Sequence, residues 1–244
     1  MRKLLLLSVL LPMWVHGQQT KFIVKQNPLE YNIERYYALK SDTNVKHGQY
    51  KMLNFFGGEP IRTGYYKMNR KDSVWKEFTT FGEVYLQAEG KYKNDKKAGV
   101  WTFYLKKNEV EQKYDYSLKK MVYFKPDGQK YRTINGADTS KPMPVERQPL
   151  FIGGIMSFKS YVIAHLTYPD EALKKGIQGN VTIAFVIDRN GHMTKVWVKK
   201  GVHKLLNDAA LKTIKQLPDT WVPALVKGKP VAAVYEHEIP FILQ

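Results

Sequence analysis

Two textures of apolar and polar residues divide the chain. From about Val45 to Phe124 the two kinds alternate, an aromatic residue recurs every few positions and Gly or Asn clusters break the runs, the period-two pattern of antiparallel hairpins. After Pro149 the period changes. Met156, Phe158, Tyr161, Val162 and Leu166 fall near helical spacing, and Tyr168-Pro169-Asp170-Glu171-Ala172 opens a second, short helix stopped by Gly176. Pro169 near its first turn and the two acids beside the positive end of the helix dipole favour that start. Gly179 to Ile187 alternates and is rich in β-branched residues, Asp188-Arg189-Asn190-Gly191 turns, and Met193 to Lys199 returns as the second arm of a hairpin. Leu205, Leu206, Ala209, Ala210, Ile214 and Leu217 form one apolar stripe from His203 to Leu217, ended by Pro218. Gly228-Lys229-Pro230 turns again, and Val231 to Leu243 predicts a long last strand.

The order helix, helix, hairpin, helix, strand predicts a three-stranded antiparallel sheet with helices packed across it. The chain as a whole is expected to be α+β: residues 18–134 an all-β sheet of hairpins, 135–148 a linker with Pro142, Pro144 and small polar residues but no periodicity, and 149–244 the C-terminal module. Between Gln18 and Asn44 the pair Tyr36-Tyr37 suggests one short strand or edge piece.

The β region repeats. Gly64 to Trp75 aligns with Gly90 to Trp101 at an offset of 90 − 64 = 26 residues, with Gly, Tyr, Lys, Lys, Val and Trp recurring in register. His47-Gly48-Gln49-Tyr50-Lys51 opens an earlier copy, and Tyr116 to Gly128 is a degenerate last one. Such a period marks stacked units that bury their faces only against neighbours. The polar centre Asn94-Asp95-Lys96-Lys97-Ala98-Gly99 supplies turn chemistry, so each unit is a hairpin. Two readings stay open for Tyr66, Trp75, Tyr92 and Trp101: a packing ladder within the sheet, or an exposed aromatic face for lipid, glycan or protein. Through Gly90, Tyr92, Gly99, Trp101 and Tyr104 the pattern resembles the MORN repeats and their toxin-antitoxin-associated relatives, over about eighty residues. The first full copy departs from it, with Ser73 at the second glycine and Phe78 at the last tyrosine.

The C-terminal module carries a second resemblance. Gly153-Gly154, Tyr168-Pro169, Ala172, Gly176, Gly179, Val181, Phe185, Ile187-Asp188, Gly191, Gly201, Leu206, Ala210, Leu217-Pro218, Trp221, Pro223, Gly228, Pro230-Val231 and Pro240-Phe241 resemble the TonB C-terminal domain, in the Gly-Gly-leader form of Bacteroidetes-type bacteria. Asn207 and Ala224 are mild departures. The resemblance implies a periplasmic module that binds an outer-membrane receptor segment, the TonB box, by adding it as a strand to the sheet edge. It thereby implies a part in TonB-dependent transport, with energy transduction in the family's full transducers. An open sheet edge is a template for peptide addition or for a homodimer by strand exchange. The last strand is the expected edge, through Val231, Ala233, Tyr235, His237 and Phe241; the same residues could instead only pack the sheet.

The N-terminus qualifies the transducer role. Arg2 and Lys3 precede an apolar run from Leu4 to Val15, interrupted by Ser8 and Pro12, and Val15-His16-Gly17 suits cleavage before Gln18. As a helix the run would be about 18 Å long against a hydrocarbon core of about 30 Å. Residues 1–17 are therefore expected to be a signal peptide, not an inner-membrane anchor, and the protein to reside in the periplasm or cell envelope of a Gram-negative bacterium. No long Pro-rich span follows. The chain has no cysteine, which excludes disulfide staples, lipoprotein acylation and thiolate chemistry.

A net charge of +17 would raise nucleic acid as a partner in a cytosolic chain. Export removes that reading and leaves a solvated lysine face or contact with a membrane surface. No nucleophile elbow, zinc-protease motif or phosphate loop occurs. His47, His165, His192, His203 and His237 are scattered, and Asp188, Asn190 and Gly191 are turn residues, not a calcium loop. No catalytic residue, cofactor or metal is expected; the chain reads as a binding protein, not an enzyme.

Overall fold

The computed structural model describes residues 19–80, 82–135, 138–139, 142–218 and 220–243. The expected signal peptide lies outside the described residues. The first architectural unit is a nine-stranded antiparallel meander in sequence order: β1 (Thr20–Asn27), β2 (Asn32–Leu39), β3 (Lys46–Asn54), β4 (Pro60–Lys67), β5 (Arg70–Phe78), β6 (Leu86–Lys93), β7 (Lys96–Lys106), β8 (Glu109–Asp115) and β9 (Lys120–Phe124). The region before Asn44 thus contributes two full strands where one short piece was expected. Its Pro28-Leu29-Glu30 turn closes a hairpin paired from Thr20↔Leu39 to Asn27↔Asn32.

The repeat has a physical basis in glycine and tryptophan. Trp75 and Trp101 are both fully buried, each lying flat across a glycine of the preceding, neighbouring strand. A Cβ on Gly64 would sit 2.2 Å from the Trp75 ring and one on Gly90 2.3 Å from Trp101. Each indole N–H donates to a carbonyl, Trp75 to Tyr65 and Asp72 and Trp101 to Lys91. Tyr66 and Tyr92 stand edge-on to these indoles at 5.1–5.7 Å. Lys71 and Lys97 lie over them, 4.6 and 4.1 Å from the Trp75 and Trp101 rings. Successive hairpins are also tied by their turns. Asn69 and Asp95 have positive φ, and each donates its backbone N–H to, and accepts on Oδ1 from, the backbone of the lysine that opens the previous hairpin, Lys46 and Lys71 respectively.

At the end of the expected β domain stand β10 (Lys130–Tyr131) and β11 (Thr133–Asn135), and the described part of the segment expected as a linker, 135–148, holds β12 (Asp138–Thr139) and β13 (Met143–Pro144). Then come β14 (Leu150–Phe151), α1 (Gly154–His165), α2 (Asp170–Lys174), β15 (Gly179–Ile187), β16 (Met193–Lys200), α3 (Lys204–Lys215), β17 (Trp221–Val222), β18 (Ala224–Val226) and β19 (Lys229–Phe241). The predicted three-stranded sheet exists as β19-β15-β16 but is larger: β11 and β12 extend it beyond β19, and β18 pairs with the start of β19. The helices cover one face, where Phe158, Val162, Val181, Ile183, Phe185, Leu206, Ala210, Ile214, Ile239 and Phe241 form the core. β15 lies inside the sheet and is buried on both faces, which explains its near-continuous apolar run.

Candidate protein-binding edge

β19 is the strand on which the sequence places partner binding, and it is not a simple edge. From Ala233 to Phe241 its inner side pairs with β15, Gly179↔Phe241 to Ile187↔Ala233. β18 pairs with Lys229 to Val231 through the tight Lys227-Gly228 turn, and on the outer side β11 covers Ala232 and Ala233. The Val234 N–H donates outward to Arg132 O at 2.9 Å. With no bulge in the β15 pairing, alternation then turns the backbone groups of Glu236, Glu238 and Pro240 outward as well. Among the described residues no strand pairs with this outer stretch. Its last position is Pro240, which has no N–H to offer.

The predicted binding side chains turn elsewhere. Ala233 and Phe241 are buried, Tyr235 packs against Phe158, Phe185 and Trp221, and His237 meets Phe158 edge-to-face at 4.6 Å. Burial, with Lys159 nearby, pushes the His237 imidazole down to about 4. Val231 packs against the Tyr131-Ala224-Ala233 cluster. These five residues hold the core behind the edge, and what an incoming strand would meet is backbone, plus the opposite face. There Lys199 Nζ lies 2.5 Å from Glu236, Asn180 donates to Glu238 at 3.0 Å, and Ala184, Val186 and Val234 make a small apolar cluster.

A cavity of about 620 Å3 opens where β11 leaves β19, bordered by Glu111, Lys130, Arg132, Lys199, Tyr235 and Glu236. One wall belongs to the meander, because β8 docks on the C-terminal module. Both Glu111 carboxylate oxygens accept from the Ile155 N–H at 2.9 and 3.0 Å, at the first turn of α1. Gln112 donates to Phe151 O and accepts from the Gly153 N–H at 3.0 and 3.2 Å. A Cβ on Gly154 (φ +83°) would lie 2.6 Å from Glu111, so the Gly-Gly leader lets the helix start approach β8. Burial pushes the Glu111 carboxyl up, against the Ile155 N–H and Lys159. This joint has no periodic signature and sequence reasoning missed it.

The second predicted surface is also revised. Trp75 and Trp101 are fully buried and Tyr66 and Tyr92 half-buried beneath lysines, so the four do not form an exposed aromatic face but a packing ladder. Exposed aromatic pairs of the meander lie elsewhere: Phe22 meets Tyr37 at 5.4 Å, and at the hairpin tips Tyr31 stacks on Phe56 at 5.6 Å, with Leu29 also exposed. Phe55 N–H to Tyr31 O, 3.0 Å, ties the two tips. The five histidines among the described residues lie apart, and no group of three or more His, Asp or Glu that could hold a metal ion occurs there. No helix among them is long and apolar enough to cross a membrane.

A search of curated proteins found no match. Among solved structures, the chain aligns with the solution structure of the Helicobacter pylori TonB C-terminal domain at 24% identity, over 37% of this chain and 82% of that one, with a TM-score of 0.29. It also aligns with a crystal structure of a GtfA/B complex at 14% identity, over 46% of this chain and 22% of that one, again at 0.29. Overlaps of that size carry no weight for the site. The sequence itself is more telling: residues 164–243, which hold β15, β16, α3 and β17 to β19, match the family model of the Gram-negative bacterial TonB protein C-terminal.

Proposed function

We propose that this protein is a non-catalytic binding protein of the Gram-negative periplasm or envelope, whose TonB-like region takes an extended segment of a partner as an added strand along the outer side of β19. The partner class is an outer-membrane receptor or another envelope protein, which associates the chain with TonB-dependent transport. The observation that carries the reading is the unpaired outer stretch of β19 from Tyr235 to Phe241, in the region that matches the family model. Unpaired backbone donors and acceptors on an ordered strand lower the cost of ordering an incoming chain. The test is direct: the purified protein is titrated with synthetic peptides covering the N-terminal plug segments of the host's β-barrel receptors. Binding with loss of amide exchange at Glu236 and Glu238 is expected; no binding by any such peptide refutes the reading.

A second reading has its own observation. The stacked Tyr31–Phe56 pair and Leu29 form a rigid, exposed tip through which the meander could act as a structural adaptor to glycan, lipid or protein, with no transport coupling. Loss of envelope localisation on Tyr31→Ser plus Phe56→Ser, with receptor-peptide binding intact, would favour it.

A further inference from the structure

We infer that β11 is a displaceable strap: an intramolecular strand that occupies the outer edge of β19 and must leave before a longer partner strand can add there. The inference rests on the strand-addition reading for what the strap keeps out.

The strap's hold is short. β19 makes nine register pairs with β15, whereas β11 meets it through Thr133↔Ala233 and Ile134↔Ala232 only. The neighbouring hydrogen bond identifies the type of pair. Val234 N–H reaches Arg132 O, so Thr133 and Ala233 face each other without exchanging hydrogen bonds between themselves. Side chains then straddle the strand. Tyr131 packs with Ala224 and Ala233 on the helix side, and Ile134 reaches Ala184, Val186 and Val234 on the other. Tyr131 is further anchored by its hydroxyl, which donates to Asp127 at 2.5 Å. Tyr131 and the buried Thr133, whose hydroxyl donates to Met143 Sδ at 3.7 Å, anchor the start of the strap, while Ile134 at its paired end is only half-buried, so peeling must also break the Thr133–Met143 contact. β11 can peel from Ile134 toward Arg132 while Tyr131 stays in place.

The edge beyond the strap is where the cavity lies, bordered by Arg132, Tyr235 and Glu236. A partner strand seated on Glu236 and Glu238 runs into Arg132 as it extends toward Val231. The outward backbone groups of Ala232 and Val234 become available only if β11 yields. A closed strap lowers the apparent affinity for a long partner by the fraction of molecules that are open.

The test uses the full chain and a labelled synthetic peptide, Gln129 to Asn135 of this same protein, as probe. Wild type is expected to bind it weakly, because its own copy occupies the edge. Ile134→Asp, which puts a charge into the Val186–Val234 cluster, should bind it about ten- to a hundredfold more tightly and lose amide protection at Ala232 and Val234. Retained protection across β15 shows that the variant is folded. The absence of native cysteine allows a clean lock: Thr133→Cys with Ala233→Cys, at a facing pair suited to a disulfide, should abolish probe binding when oxidised and restore it when reduced. Equal probe affinity in wild type and Ile134→Asp, with unchanged protection at Val234, overturns the strap. The receptor peptides report separately. If they fail to bind Ile134→Asp while the probe binds, the strap stands and the receptor reading falls.

Discussion

Replacing Gly90 by alanine tests the packing logic of the repeat. The added methyl would meet Trp101 Cδ2, Cγ and Cδ1 at 2.3, 2.4 and 2.5 Å, where ordinary contact needs roughly 3.5 Å or more. The indole must shift by about 1 Å, yet it is pinned by Tyr92 at 5.1 Å, by Tyr116 at 6.3 Å and by Lys97 above its face. Overpacking of this kind costs about 3 kcal/mol, and the lower chain entropy of alanine offsets about 0.5–1 of that, so Gly90→Ala should destabilise by about 2 kcal/mol. Gly57→Ala is the control. Its Cβ meets only the flexible Glu59 side chain, and its effect should stay within about 0.5 kcal/mol. Equilibrium urea unfolding followed by far-ultraviolet circular dichroism measures both. In a Trp101→Leu background, where the smaller side chain can yield, the alanine should cost less than about 1 kcal/mol, a coupling that a cycle resolves. An equal cost of Gly90→Ala with and without Trp101 would refute the reasoning.

Backbone strain and buried titration give three further predictions. Ser73 holds φ +61° where the next copy has Gly99 at +60°; Ser73→Gly should therefore raise stability by up to about 1 kcal/mol in the same melts, and a loss would show that the serine hydroxyl matters more than the strain. Because His237 is held down to about 4 from 6.5, its neutral form contributes stability that is complete above pH 6.5 and is lost as pH falls toward 4, roughly 3 kcal/mol in all. His237→Phe should remove that acid sensitivity. Glu111 has the opposite sign. Its carboxyl is raised by burial, so its linkage makes stability fall as pH rises from 4.5 through its folded value, and Glu111→Gln should flatten that limb; an unchanged pH profile in either variant counts against its buried position.

Much of the fold was legible because it is written in local periods. The alternation of β15 and β16, the Asp188 to Gly191 turn and the Leu206-Ala210-Ile214 stripe each need only a few neighbouring residues to be recognised, and each appears where expected. The 26-residue repeat was equally visible, since Gly64 and Gly90 recur with Trp75 and Trp101. Its face was not. An alternating aromatic suits a buried ladder and an exposed stripe alike, and only the glycine lying under each indole, with a lysine above, decides for burial.

The edge assignment shows the same division. Composition and pattern alone determined a β meander, a TonB-like α+β region and a chain without cysteine chemistry, because hydrophobic period and backbone chemistry act within a few residues. That β19 lies between β15 and β11 and that Glu111 holds the start of α1 were decided by pairings across long stretches of chain. Such pairings depend on how each strand packs against neighbours that only the folded chain brings together. Thr133 and Ala233 are a hundred residues apart, and nothing in either segment alone names the other.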